Sequence, residues 1–294
     1  MSDPPHAGSY VAARLRALDD RLREAAPRVL SSAQSQDAVH DLRVALRRTR
    51  TVLEVSRELF GRFQSDEVRC ALREVQRATG ALRDEEVLFE TIESVKMVDP
   101  GVSAWLKSRR ARERRFRRAL ARRIEAGELD RGRRLLDALL AFRVDPSRDK
   151  RLAKFARRAV GDARRRVERH RSPRTDDPLA LHRLRIAYKR LRYVVETFAE
   201  VLPSDVTALA QGAARLQNRL GRVHDVDMAV GSVQRARALP HESRKELLSA
   251  LERMRAERLA SYSREQAPLA YAGGARAEDA HAPGVEALRK ISTR

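Results

Sequence analysis

Residues 39–54 read VHDLRVALRRTRTVLE, and residues 181–196 read LHRLRIAYKRLRYVVE. Set 142 positions apart, eight of the fifteen pairs from His40/His182 to Glu54/Glu196 are identical. Three more, Val44/Ile186, Arg47/Lys189 and Leu53/Val195, keep their chemistry while changing shape. At about 100° per residue, Arg43, Arg47 and Arg50 fall on the same side of a helix as His40. Leu42, Ala45, Leu46, Val52 and Leu53 fall on the opposite side. The second copy repeats both faces, with His182, Arg185, Lys189 and Arg192 opposite Leu184, Ala187, Leu191, Val194 and Phe198. The pattern predicts two helices, each a buried ridge carrying a cationic stripe. Four heads over three turns span about 15 Å, which suits an extended chain of phosphates better than one nucleotide. The bland alternative is a solvated face whose arginines pair with local acids. Against it, the stripes hold no acid and recur in register.

A second shared phrase follows each motif. At an offset of 141, VQRATGALRDEEV (75–87) meets LQNRLGRVHDVDM (216–228), matching Gln76/Gln217, Gly80/Gly221 and Asp84/Asp225. The glycines suit close helix contact, and the acids suit salt bridges that orient neighbouring arginines. A direct role at a site for Arg83 or His224 is the alternative.

Composition agrees with a helical, polyanion-binding chain. The 294 residues can form one large domain or two of ordinary size. Aromatic residues make up only 4%, so the residues that strands prefer are scarce. The formal charge of +21 exceeds what solubility needs and points to a nucleic acid, an acidic membrane or polyphosphate as partner. Arginine supplies most of it, and its fork grips phosphate oxygens in pairs. With Cys70 as the single cysteine, an internal disulfide and a thiolate zinc cluster are excluded. The start MSDPPHAGSY has no signal-peptide pattern and no long apolar run follows, so a soluble cytoplasmic protein is expected.

Along the chain, helices are predicted over 9–30, from Ser35 or Asp37 as cap to Phe60, over 65–96, 102–125 and 129–142, and then over 149–171, 179–201, 205–237 and 241–265. Pro27 is expected in a frayed last turn. VDPSRD (144–149) is the candidate junction between halves. The expected organisation is a disordered start (1–7), a first helical bundle (8–145), a second (146–268) and a flexible tail (269–294). The very basic stretches near 107–123 and 154–165 read mostly as solvated charge that could widen an electropositive surface.

With its paired motifs followed by LRDEEV and VHDVDM, the chain resembles the CHAD family, the conserved histidine α-helical domain, over roughly residues 8–268. The resemblance implies an all-α fold of two four-helix bundles in tandem, related by an internal pseudo-twofold repeat. It also implies a basic surface that binds inorganic polyphosphate, and association with polyphosphate granules. Carried onto this chain, the ligand residues are His40, Arg43, Arg47, Arg48 and Arg50 in the first stripe and His182, Arg185, Lys189, Arg190 and Arg192 in the second. Arg48 and Arg190 lie to one side of the histidines.

Other functions stay open. Sequence-nonspecific nucleic-acid binding draws on the same charge, although the stripes lack interleaved aromatics for base stacking. A phosphate-transferring or metal-binding enzyme built on His40 and His182 is the weaker alternative, because surrounding arginines repel divalent cations and no acids accompany the stripes. The expectation is therefore a non-catalytic protein with no metal and no cofactor.

Overall fold

The computed structural model describes residues 6–31 and 36–274. Its helices are α1 (Ala7–Ser31), α2 (Gln36–Phe60), α3 (Arg62–Glu93), α4 (Pro100–Glu125), α5 (Glu128–Ala141), α6 (Leu152–Glu168), α7 (Pro178–Thr197), α8 (Ser204–Gln234) and α9 (His241–Gly274). A short 3-10 turn, Ala199–Val201, follows α7. The expected all-α class holds. No strand forms among the described residues, where an isolated bridge between His6 and Arg151 is the nearest approach to one. None of their helices is long and apolar enough to cross a membrane. Most of the expected disordered start and flexible tail lies outside the described residues, but α1 already begins at Ala7 and α9 continues to Gly274.

Local chemistry sets the boundaries. The Asp177 carboxylate accepts hydrogen bonds from the amides of Leu179 and Ala180 at 2.8 and 3.0 Å, with Pro178 in the first turn of α7. Asp99 starts α4 in the same way, accepting from the Val102 amide at 2.6 Å. Gly61 and Gly127, at φ 92° and 76°, supply the left-handed residues that separate α2 from α3 and α4 from α5. Ser35 lies outside the described residues, and Asp37 sits within the first turn of α2. Pro27 differs from expectation. Helix α1 runs through it to Ser31, because Ala25 and Val29 on either side are buried and hold the last turn in place.

The apolar faces read from the repeat are the buried ones. Leu42, Ala45, Leu46, Val52 and Leu53 on α2 are at most 3% exposed. Leu184, Ala187, Leu191 and Val194 on α7, and Phe198 just after it, are buried as well. A fully buried leucine contributes about 1.5–3 kcal/mol relative to an exposed one, so these ridges fix how each helix is turned. The opposite stripe faces away from the core.

The chain forms two compact units, residues 1–84 with 111–159 and residues 85–110 with 160–294. This partition differs from the single cut expected near residue 145. The end of α3 and the start of α4 group with the later helices for a physical reason. Leu88, Ile92, Val102 and Trp105 share one buried apolar cluster with Val226, Ala229 and Val233 of α8 and Leu247 and Leu251 of α9. In the first unit α1 lies along α2, and Asp19 of α1 holds Arg133 of α5 through bonds of 2.9 and 3.0 Å. In the second unit α8 packs against both α7 and α9.

Candidate functional site

In the first unit the stripe of α2 is gripped from the side by α3. Arg43 Nη1 donates to Thr79 Oγ1 at 3.0 Å, and Arg50 Nη1 donates to Gln76 Oε1 at 2.5 Å. Thr79 is fully buried and donates in turn to the Gln76 carbonyl at 2.7 Å. The second shared phrase therefore positions the first. His40 stands exposed at the start of the stripe, whereas Arg43, Arg47, Arg48 and Arg50 are half-buried.

The field here is strongly positive. Burial, then the nearby charges of Arg69 and Arg73, lower the pKa of Arg50, with Glu54 and Cys70 opposing them. An arginine remains protonated regardless, so the shift reports first the burial of Arg50 and second the neighbouring cations Arg69 and Arg73. Asp84 faces Arg43 and Arg83, which pull its pKa down, yet desolvation outweighs them and raises it. The acid foreseen as an orienting partner thus acts on Arg43 and Arg83.

The second unit keeps the plan and changes the contacts. His182 of α7 meets His224 of α8, with the two Nδ1 atoms 3.4 Å apart and the ring centroids 4.5 Å apart. Burial, followed by Arg185, His182 and Lys189, brings the pKa of His224 down to about 3. Burial, Arg185 and Lys189 also lower that of His182. At neutral pH both imidazoles are uncharged, and the charge of this stripe resides in its arginines and Lys189. Lys189, Arg185 and Arg190 are half-buried.

The two copies are not equivalent in detail. His224 corresponds to Arg83 in the first copy, so His40 lacks a histidine at that place. Arg192 corresponds to Arg50, but its Nε donates to Glu196 at 2.7 Å and its guanidinium lies 5.8 Å over the Tyr193 ring. Gln217 corresponds to Gln76, and its buried Oε1 has no hydrogen-bond partner among the described residues. The reason is visible in the pair: the arginine that would serve Gln217 has turned to Glu196. Glu54, the matching acid, lies 3.5 Å from Arg69 and also acts on Arg50 through its charge. The stripes hold no acid within them, but each is followed by one a turn later.

The glycines of the second phrase do not serve close helix contact, as the sequence suggested. Among the described residues, a Cβ on Gly80 would meet only Arg43 Nη1, at 3.9 Å, and one on Gly221 would meet nothing within 4 Å. Both are open positions beside the stripes.

The other basic stretches are largely paired locally. Arg109 meets Glu85 at 2.8 Å, Arg117 meets Glu113 at 2.8 Å, Arg110 meets Glu93 at 3.1 Å and Arg158 meets Glu58 at 3.6 Å. Arg165 pairs with Asp162. Arg114, Arg118, Lys154 and Arg157 are exposed. Among the described residues no three His, Cys, Asp or Glu side chains converge as a metal-binding group would. The arrangement can present guanidinium, ammonium and imidazole donors to an anion.

Known proteins give the same picture of the fold. The CHAD domain family model matches residues 13–234. An uncharacterized protein of Mycobacterium tuberculosis is 32% identical over 183 residues, 55% of this chain and 34% of that protein. The chain therefore spans about a third of the length of this curated relative. The crystal structure of the CHAD domain from the plant Ricinus communis superposes with a TM-score of 0.73 at 21% identity, over 94% of this chain and 95% of that one. PptA from Streptomyces chartreusis gives a TM-score of 0.66 at 15% identity, over 90% and 99%. At these identities the two structures speak for the fold.

Proposed function

This chain belongs to the CHAD domain family, and from that premise we propose that it binds inorganic polyphosphate without catalysing its turnover. The observation that carries the proposal is the repeated grip of α3 and α8 on the stripe helices. Thr79 and Gln76 fix Arg43 and Arg50, and His224 meets His182 beside Arg185 and Lys189. Donors held in place lose less side-chain entropy when they close on a phosphate oxygen, and charge-assisted bonds are the stronger kind. The residues proposed to line the ligand are His40, Arg43, Arg47, Arg48, Arg50, His182, Arg185, Lys189, Arg190 and Arg192. The working location is the cytoplasm, at polyphosphate granules.

The absence of catalysis is part of the proposal. Phosphoryl transfer needs acids that hold metal ions and a base that positions the nucleophile, whereas the stripes offer cations and imidazoles. Nucleic-acid binding is the second reading, favoured by the net charge of +21. Tyr188 and Tyr193, the aromatics on α7, are buried in the ridge and offer no stacking platform to a base.

The test is calorimetric titration of nuclease-treated protein with polyphosphate of defined length, in competition with single- and double-stranded DNA over a salt series. Tight binding that excess DNA does not displace is expected. Equal displacement transfers the function to nucleic acid, and no binding at all rejects the proposal.

A further inference from the structure

Gly80 of α3 and Gly221 of α8 occupy matching positions inside two long helices, where glycine is costly relative to alanine. The fold itself does not ask for either. Both stand outside the positive-φ glycines, Gly61 and Gly127, so no turn requires them. Among the described residues no neighbouring element crowds them, since a Cβ at Gly80 would reach only the tip of Arg43 and one at Gly221 would touch nothing.

Their positions relative to the stripes are fixed by helix geometry. Residues three or four apart share a helix face. Gly80 is therefore one turn beyond Gln76, which holds Arg50, and directly follows Thr79, which holds Arg43. Gly221 is one turn beyond Gln217 and one turn before His224, the partner of His182. In each unit a patch of bare helix backbone adjoins the groups that meet the cationic stripe.

Gly212 supplies the contrast. It too lies inside α8, and a Cβ there would meet none of the described residues. Nine residues separate it from Gly221, which puts it about half a turn away around the helix. Its counterpart in the first copy is Ala71. Where a side chain is harmless the repeat has tolerated one, and beside the stripes both copies hold glycine.

Resting on the polyphosphate reading above, we infer that Gly80 and Gly221 are ligand-binding residues, over each of whose bare Cα atoms, within its own unit, a phosphate chain passes in van der Waals contact. In the first unit the chain then lies within reach of Arg43 and Arg50, and in the second within reach of His182, His224 and Arg185. A methyl group at either position holds the chain off the helix and stretches several charge-assisted bonds at once, beyond the 2.7–2.9 Å or so at which they are strong.

The experiment compares Gly80→Ala, Gly221→Ala and Gly212→Ala with the wild-type chain, measuring urea stability and polyphosphate affinity. All three are expected to be more stable than wild type. The first two lose about tenfold in affinity, equivalent to about 1.4 kcal/mol, and Gly212→Ala binds as wild type does. Stability and binding moving in opposite directions is the signature, because a merely structural glycine would move them together. Wild-type affinity in both Gly80→Ala and Gly221→Ala overturns the inference while leaving the polyphosphate reading in place. An equal loss in Gly212→Ala also overturns it, by tracing the effect to helix stiffness. A wild-type chain that binds no polyphosphate removes the reading and the inference together.

Discussion

The Nδ1 atoms of His182 and His224 stand 3.4 Å apart, so that one ring donates and the other accepts. A proton added there is disfavoured first by burial and then by the charges of Arg185 and Lys189. The pair is therefore built to remain neutral, with His224 held at about 3 and His182 below its ordinary value.

Below about pH 6.5, the ordinary histidine value, the unfolded chain takes up protons at these two positions while the folded chain resists them. The contribution of His224 to stability is accordingly full above about 6.5 and is lost as the pH falls toward about 3, and that of His182 is lost in the same direction. Proton NMR of the folded protein should show the His224 ring resonances unmoved between pH 8 and 5. Urea titrations should show a shallower acid limb for His224→Phe. A His224 resonance titrating near 6.5 contradicts the neutral pair.

Reversing Arg43, Arg47, Arg185 and Lys189 to glutamate is expected to weaken polyphosphate binding by about a hundredfold or more, roughly 2.7 kcal/mol. The helical circular dichroism should survive, because the ridge beneath the stripes is apolar and untouched. Binding should also lose part of its salt dependence, since fewer counterions are released from the ligand. Unchanged affinity would remove these residues from the site.

Arg192 is a stripe residue engaged by an acid, through the 2.7 Å bond to Glu196. Glu196→Gln keeps the size of the side chain and removes its charge. Polyphosphate binding should tighten by roughly threefold at low salt, the scale of a partly exposed ion pair, with the gain fading as salt is added. Weaker binding in this variant would mean that Glu196 orients Arg192 for the ligand.

Asp19 is 3% exposed and holds Arg133 through both carboxylate oxygens. Asp19→Ala leaves a largely buried guanidinium without its main partner and should cost about 3 kcal/mol in urea unfolding. Affinity for polyphosphate, measured well below the melting temperature, should be unaffected. A matching loss of affinity in the folded variant would link this pair to the binding surface.

Residue patterning told a great deal about this molecule. The faces of α2 and α7 were legible because a 3.6-residue period separates buried from exposed positions before any tertiary contact is known. The starts of α4, α5 and α7 were legible to within two residues, at Pro100, Glu128 and Pro178. What was hidden depends on register between helices. Periodicity says that α3 has an apolar side, but not that Leu88 and Ile92 join α8 and α9 while Leu72 and Val75 lie in the other unit. The meeting of His182 with His224 is hidden for the same reason, as is the turn of Arg192 toward Glu196. The open glycines were misread because a matched pair of small residues in long helices ordinarily signals close packing, and only coordinates distinguish a contact from a vacancy.

The sharing of α3 and α4 between the two compact units bears on how the protein is made. When the ribosome has produced the first 145 residues, the hairpin at 85–110 has emerged with Leu88, Ile92, Val102 and Trp105 still lacking the α8 and α9 side chains that cover them. These apolar groups wait through the synthesis of about another hundred residues, at roughly 5–20 residues per second. The early part of the chain therefore spends several seconds as an incompletely buried intermediate, and that interval is when a chaperone has most to protect.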